Sequence, residues 1–413
     1  MKNPVKLGLA GAFLCGLVVF TAWSGERAAG APAEASSGAY RVLAPIESGN
    51  LLLFPVVRAD EKSAAETPFI TLDEGLKNGE VEVTEAGRAQ GLVRPRGGSN
   101  PLPQDNAYRG DEVNTLVLIN HSKRPLLLLA GEIVTGGKQD RIIAKDRIVP
   151  SDSDPLDLSV FCIEPGRWTE SSATFGAADK SVAKSFMVQP DIRERAMVEQ
   201  DQQQVWNSVH GAIAQMEVAA APPASSGGGR VGAPAAPRPL GTTSYAKAME
   251  NSSVSEKVDE AAAPVMGARE QVLAKLREEH AVGVVVAVRG EIIWADLFAS
   301  TDLLARYWTK LVRSYAAESL AEGENHPAPS VADAQHFLDA PAVGTENSEG
   351  EVGVYRYREY KSGGTETFVL ESLLPGTGYD VHISKMKLRT VERHIIKPQP
   401  MPEPPVYRPE IYR

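Results

Sequence analysis

Cysteine is the residue this chain uses least: 413 residues hold two, Cys15 and Cys162. That scarcity excludes a disulfide framework and a zinc site built on several thiolates. The seven histidines, at 121, 210, 280, 326, 336, 382 and 394, show no metal-ligand spacing, so no metal site is expected. Positive charge is also short, with 43 Lys and Arg against 53 Asp and Glu and a net charge of -10. No basic run offsets the deficit, which excludes a general nucleic-acid binder, because such a face must neutralise phosphates. A repeat of fixed period is missing as well, so a solenoid or propeller is excluded. What is present is a 43% hydrophobic composition, enough for a packed core.

The opening MKNPVKLGLAGAFLCGLVVFTAW sets Lys2 and Lys6 before an apolar run from Leu7 to Trp23, followed by the small residues of AAGAPAEA. Residues 1–33 are expected to be an export signal, cleaved or kept as a membrane anchor; the run is long for a signal and short for a span. The expected location is the periplasm or cell surface, with membrane contact only through an uncleaved N-terminal segment. Cleavage leaves Cys162 as the sole cysteine.

Residues 34–39 read as a disordered tether and 40–390 as one α+β domain, a mostly antiparallel β core with a long helix pair packed on it. Within it, 219–241 is rich in Ala, Pro and Gly and reads as a disordered insertion, and 391–413 as a Pro-rich tail. LLLFPVV at 51–57 is a buried strand by its apolar run, and Thr71 with Glu74 has the spacing of a capping box for a short helix ending at Gly79. EVEVTE, EVNTLVLIN, LLLLAGEIV, DRIIAKDRIV and DLSVFCI continue as strands. The spacing of Met197, Val198, Val205, Val209 and Ile213 predicts one helix over 191–216. REQVLAKLREEH reads as a helix, VGVVVAVRGEIIWADLF as a hairpin turning at Arg289-Gly290, and Ser300 as the cap of a helix with a Leu304, Tyr307, Leu311, Tyr315 stripe. VYRYREY, TFVLESL and YDVHISK close the domain as a third β segment.

Residues 130–168 concentrate chemistry. Gly136-Gly137 between strand-like runs is what a tight turn requires, and no helix follows to make a phosphate loop. Gln139 and Arg141 share one strand face, as do Cys162 and Glu164; an amide beside a guanidinium fork suits a carboxylate or phosphate. Arg167 could supply a second cation, Glu132 or Glu164 could take a hydroxyl or amine, and Trp168 could stack on a base or ring. The bland reading keeps a solvated strand face, a buried packing cysteine, and Glu164 with Arg167 pinning the turn. No base for the thiol is identifiable, so no catalytic residue is assigned.

The block AGEIVTGGKQDRII with FCIEPGRW resembles the signature of the ARG and rhodanese-phosphatase-superfamily-associated protein domain. QQQVWNSV, GVVVAVRGEIIWADLFAS and LVRSYAAESL resemble its later segments in the same order, from roughly Tyr40 to His382. The chain departs from that pattern at Ala130, Gly137 and Pro165. The resemblance names no reaction or cofactor. Through association with ADP-ribosylglycohydrolase-type proteins, it implies recognition of ADP-ribose or another NAD-derived nucleotide. An enzyme using Cys162 as nucleophile or Glu164 as acid/base ranks last, and two functions stay ahead of it. One is an exported ligand-binding or accessory domain for a small anionic ligand, using Glu132, Gln139, Arg141, Cys162, Glu164, Arg167 and Trp168; the other is a structural protein of the envelope that binds a protein partner.

Overall fold

A computed structural model describes residues 39–59, 68–88, 93, 114–178, 185–221, 239–266, 269–342, 344–377 and 379–388. The segments read as export signal, as tether up to residue 38 and as Pro-rich tail, with 222–238 of the insertion, lie outside the described residues. The largest sheet has nine strands. Its order is β1 (Tyr40–Val42), β3 (Leu51–Arg58), β13 (Ala281–Val288), β14 (Glu291–Phe298), β18 (Asp380–Lys387), β17 (Thr365–Ser372), β16 (Tyr355–Ser362) and β15 (Thr345–Glu351), with β2 (Ile46–Ser48) also on β3. β3 and β13 are apolar on both faces because both are covered: Leu51, Leu53 and Val57 enter one core while Leu52, Phe54 and Val56 enter another. Arg289 and Gly290 both take positive φ, 52° and 80°, the twist a two-residue hairpin turn needs, and β13 and β14 pair across it.

A second β unit fills the chain between β3 and the helices. Six strands run in the order β12 (Phe175–Ala177), β8 (Ile133–Gly136), β9 (Arg141–Ile143), β11 (Leu156–Cys162), β6 (Thr115–Asn120) and β5 (Val81–Glu85). Three more run β10 (Arg147–Val149), β7 (Leu126–Leu128), β4 (Ile70–Thr71), the last pair being parallel. Val83, Leu116, Leu126, Val134, Val149 and Val160 form this unit's own core. The described residues from 39 to 388 belong to one compact unit, and among them the sheets are antiparallel apart from that pair, so the α+β architecture stands.

The helices are α1 (Leu72–Asn78), α2 (Pro190–Glu194), α3 (Gln202–Ala219), α4 (Tyr245–Glu250), α5 (Ser252–Met266), α6 (Arg269–Glu278), α7 (Thr301–Ser319) and α8 (Val331–Asp339). α1 opens with the capping box: Thr71 accepts from the Glu74 N–H while the Glu74 carboxylate accepts from the Thr71 N–H at 3.1 Å. It stops at Gly79, φ 70°, a conformation that favours glycine. Ser300 caps α7 as its position suggests.

Two expectations need correction. The helix over 191–216 is broken: a π turn covers Arg195–Glu199, Gln200 is left-handed at φ 52°, and Asp201 starts α3 by accepting from the Gln204 N–H at 2.9 Å. The apolar spacing bridges that break because seven residues from Val198 to Val205 make about two turns. The long helix pair is not evident either. α7 packs chiefly on α5 and β13, and α3 on β11 and its helical neighbours. The place beside α7 is taken by α5, whose Val254, Val258, Ala262 and Val265 repeat at helical spacing around Pro264.

Two stretches of strand backbone without a neighbouring strand end on glutamine side chains, one at the edge strand β1 and one inside the six-stranded sheet. Gln335 of α8 donates to the Tyr40 carbonyl at 3.1 Å and accepts from the Val42 N–H at 2.8 Å, along the outer side of β1. Gln202 of α3 binds the Cys162 N–H and C=O, each at 2.9 Å, where β11 runs on past its last pairing with β6.

Candidate functional site

The residues singled out at 136–168 come together, and they bind one another. Arg167 donates to the Gly137 carbonyl at 3.0 Å and Thr169 carbonyl at 2.9 Å, and its guanidinium meets Glu164 at 2.5 Å and Asp140 at 3.3 Å. Glu164 and Arg167 therefore pin the turn. Glu164 also takes Lys247 of α4 at 2.9 Å and the Asp140 N–H at 3.2 Å. Burial alone would raise its pKa, but the bonds from Arg167 and Lys247 hold it below the usual range. Asp140 is pushed up, by burial and then by the Glu164 charge, while Ser244 donates to it at 2.7 Å. Because Ser244 also caps α4, that helix is docked onto the turn by its own start.

Gln139 donates to the Glu164 carbonyl at 3.1 Å, turning its amide into the same knot. Arg141 is fully buried across the ladder from Cys162, with Glu85 and Asp140 also near; burial lowers its pKa. Cys162 is sealed, and burial pushes its thiol up despite the Arg141 charge, the opposite of an activated nucleophile. A Cβ at Gly137 would run into the Phe175 ring and Glu85, so this turn needs glycine for space as well as for its φ of 47°. Trp168 is 38% exposed under the Lys138 ammonium, 5.1 Å from the ring centroid.

Glu132 stands apart from this group. Its carboxylate accepts from the Leu129 N–H at 2.8 Å and meets Lys310 of α7 at 2.5 Å. Burial raises the Glu132 pKa. Lys310 also holds Asp73 of α1 at 2.8 Å, and Asp73 accepts from the Ser185 hydroxyl at 2.6 Å. Burial would neutralise Lys310, but Asp73 and Glu132 outweigh it and raise its pKa, fixing the cation.

Three members of this chain, Ser185, Asp73 and Lys310, line a cavity of about 1110 Å³. α1, β12, α6 and α7 form its walls, and Thr135 is the one contribution from 130–168 among the described residues. Arg269 and Arg277 line it from α6, Lys77 from α1 and Arg306 from α7. Arg306 is held by Glu74 and donates to the Phe69 carbonyl at 2.7 Å. Arg269 donates to Thr309 at 3.2 Å, whereas Lys77 and Arg277 are exposed and have no ion-pair partner among the described residues.

A third cluster is sealed in the core. His382 of β18 lies between Asp146 at 2.6 Å and Asp296 at 3.2 Å, and Arg193 grips Asp296 through two bonds of 2.9 and 3.1 Å. Tyr315 and Ser384 also donate to Asp296, and Arg193 stacks 4.5 Å over the Trp294 ring. Burial would lower the His382 pKa, yet the two carboxylates raise it to about 9. All four ionic groups are inaccessible, so the cluster ties β14, β18, α2 and the β9–β10 turn together.

Sequence reasoning missed the cavity because its walls come from residues in the 70s, 170s, 260s–270s and 300s. One signal was readable: Arg269, Leu273 and Arg277 share a helix face. No curated protein and no solved structure matches the chain. A family model does match, over residues 39–386. On that coverage the chain belongs to the family of the ARG and Rhodanese-Phosphatase-superfamily-associated Protein domain.

Proposed function

We propose that this chain is a ligand-binding or accessory domain whose site is the cavity between α1, β12, α6 and α7, and whose ligand is small, polar and anionic. The observation that carries the reading is a cavity of about 1110 Å³ with a fixed Lys310 in its wall and the exposed cations Lys77 and Arg277 at its border. Binding pockets for small molecules run to roughly 1,000 Å³, so the space suits a ligand of nucleotide size. The ARG element in the family's name nominates ADP-ribose as the first compound to try. The export reading of residues 1–33 puts that binding in the periplasm or at the cell surface; an unprocessed N-terminus on protein from the cytoplasmic fraction would refute this part.

Calorimetry with ADP-ribose, NAD and sugar phosphates tests the reading. At least one is expected to bind, more weakly as salt rises. Gly176 lines the cavity and a Cβ there meets open space, so Gly176→Trp sets an indole into part of the cavity and should weaken or abolish binding. Silence from all ligands with a folded protein, or binding that Gly176→Trp leaves intact, refutes it. The self-satisfied knot around Arg167 favours a second reading for that region alone, a structural role in an envelope protein that binds a protein partner.

A further inference from the structure

We infer that the cavity wall carries two chemically distinct groups, which together select a phosphorylated polyol: Asp73 and Ser185 receive sugar hydroxyls, and Arg277 with Lys77, one helical turn from Asp73 on α1, receives the phosphate. The inference rests on the binding reading above and adds the ligand's class.

Consider the hydroxyl-binding group. A carboxylate offers about four lone-pair positions. Asp73 uses one oxygen for Lys310 at 2.8 Å and the other for the Ser185 hydroxyl at 2.6 Å, and its side chain is still 27% exposed in the cavity wall. Ser185 gives its proton to Asp73, so its oxygen remains an acceptor. Two acceptors held in place by a buried cation suit donors that are neutral and closely spaced, as on neighbouring carbons of a sugar. A cationic ligand is disfavoured by the fixed Lys310 ammonium beside them.

Consider the anion-binding group. Of the acids that line the cavity, Glu74 and Asp302 face Arg306, Asp73 faces Lys310 and Glu270 lies 4.0 Å from Arg269, which leaves Lys77 and Arg277 as the lining cations with no ion-pair partner among the described residues. Arg269 and Arg277 stand eight residues apart on the α6 face, about 12 Å along the helix axis. Arg269 is tied to Thr309, and Arg277 is exposed. A guanidinium fork suits phosphate oxygens.

The experiment is calorimetry with ribose 5-phosphate, 2-deoxyribose 5-phosphate and ribose. The wild type should prefer ribose 5-phosphate over its 2-deoxy counterpart by about tenfold, as one lost hydrogen bond to a charged acceptor implies. Asp73→Asn should erase that preference, lowering the affinity for ribose 5-phosphate more than that for 2-deoxyribose 5-phosphate. Ser185→Ala keeps the Asp73–Lys310 pair, guards against a folding defect in Asp73→Asn, and should shrink the preference several-fold. Lys77→Ala with Arg277→Ala should weaken both phosphates equally and flatten their salt dependence. Ribose 5-phosphate binding no more tightly than its 2-deoxy counterpart, or the two cation substitutions leaving phosphate binding intact, overturns the inference. ADP-ribose binding that Gly176→Trp abolishes would still uphold the broader reading in that case.

Discussion

The turn around Arg167 and the cavity beside Lys310 hold similar side chains and differ in what those side chains face. In the first, Arg167 has two carboxylates and three carbonyls, and Glu164 has two cations. In the second, Lys310 is held as tightly, yet Lys77 and Arg277 of the same cavity face solvent. Local density of charge along the chain thus marks where a fold is knitted as readily as where a ligand binds. The distinguishing property is capacity left over after folding, and only the packed structure reveals it.

Removing Lys310 tests the comparison most severely, because it strands two carboxylates, Asp73 in the cavity wall and Glu132 buried behind it. Lys310→Met should cost about 4 kcal/mol in urea denaturation, the usual penalty for breaking a buried pair. Part should return at low pH, since protonation of Glu132, already favoured by burial, removes its charge. A loss below 1 kcal/mol would mean that water reaches the pair.

The sealed His382 cluster should separate stability from binding. Its folded pKa of about 9 lies above the unfolded value of 6.5, so its contribution is complete below pH 6.5 and disappears as pH rises through 9. That window should remove on the order of 3 kcal/mol from chemical-denaturation stability. Phosphate affinity in the cavity should stay flat, because none of the cluster's ionic groups lines the cavity. Parallel decline of both would tie the cavity to the core cluster.

On the other side of the comparison, Arg167→Ala should lower stability by about 2 kcal/mol, less than a fully buried pair because Lys247 still faces Glu164. Ligand affinity should not change. Replacing Lys77 or Arg277 by Ala should move the melting curve least, within about 0.5 kcal/mol, as is usual at an exposed site. Cys162 should resist alkylation until the protein unfolds, followed by mass spectrometry of the labelled peptide; rapid labelling of native protein would show that the knot opens.

Much of the local structure was legible. Thr71, Glu74 and Gly79 delimit α1, Arg289-Gly290 turns the hairpin, and Ser300 starts α7, because caps and turns depend on residues close in sequence. Pairings between distant segments were not. Nothing in LLLFPVV says that its neighbour in the sheet is AVGVVVAV more than two hundred residues on. Strand pairing sets Arg141 opposite Cys162, but Gln139, Glu164 and Arg167 lie outside the strands, and the polar groups there are satisfied with Ser244 and Lys247, which come from beyond the insertion. The break at Gln200 escaped detection because seven residues return the apolar stripe to nearly the same face.

The glutamine amide at β1 bears on how this protein behaves at high concentration. An outermost strand with open backbone groups invites a second molecule to extend the sheet, and each added chain exposes a fresh edge. A primary amide presents the same donor and acceptor as a peptide bond and then stops, so Gln335 acts as a chain terminator for sheet growth at β1.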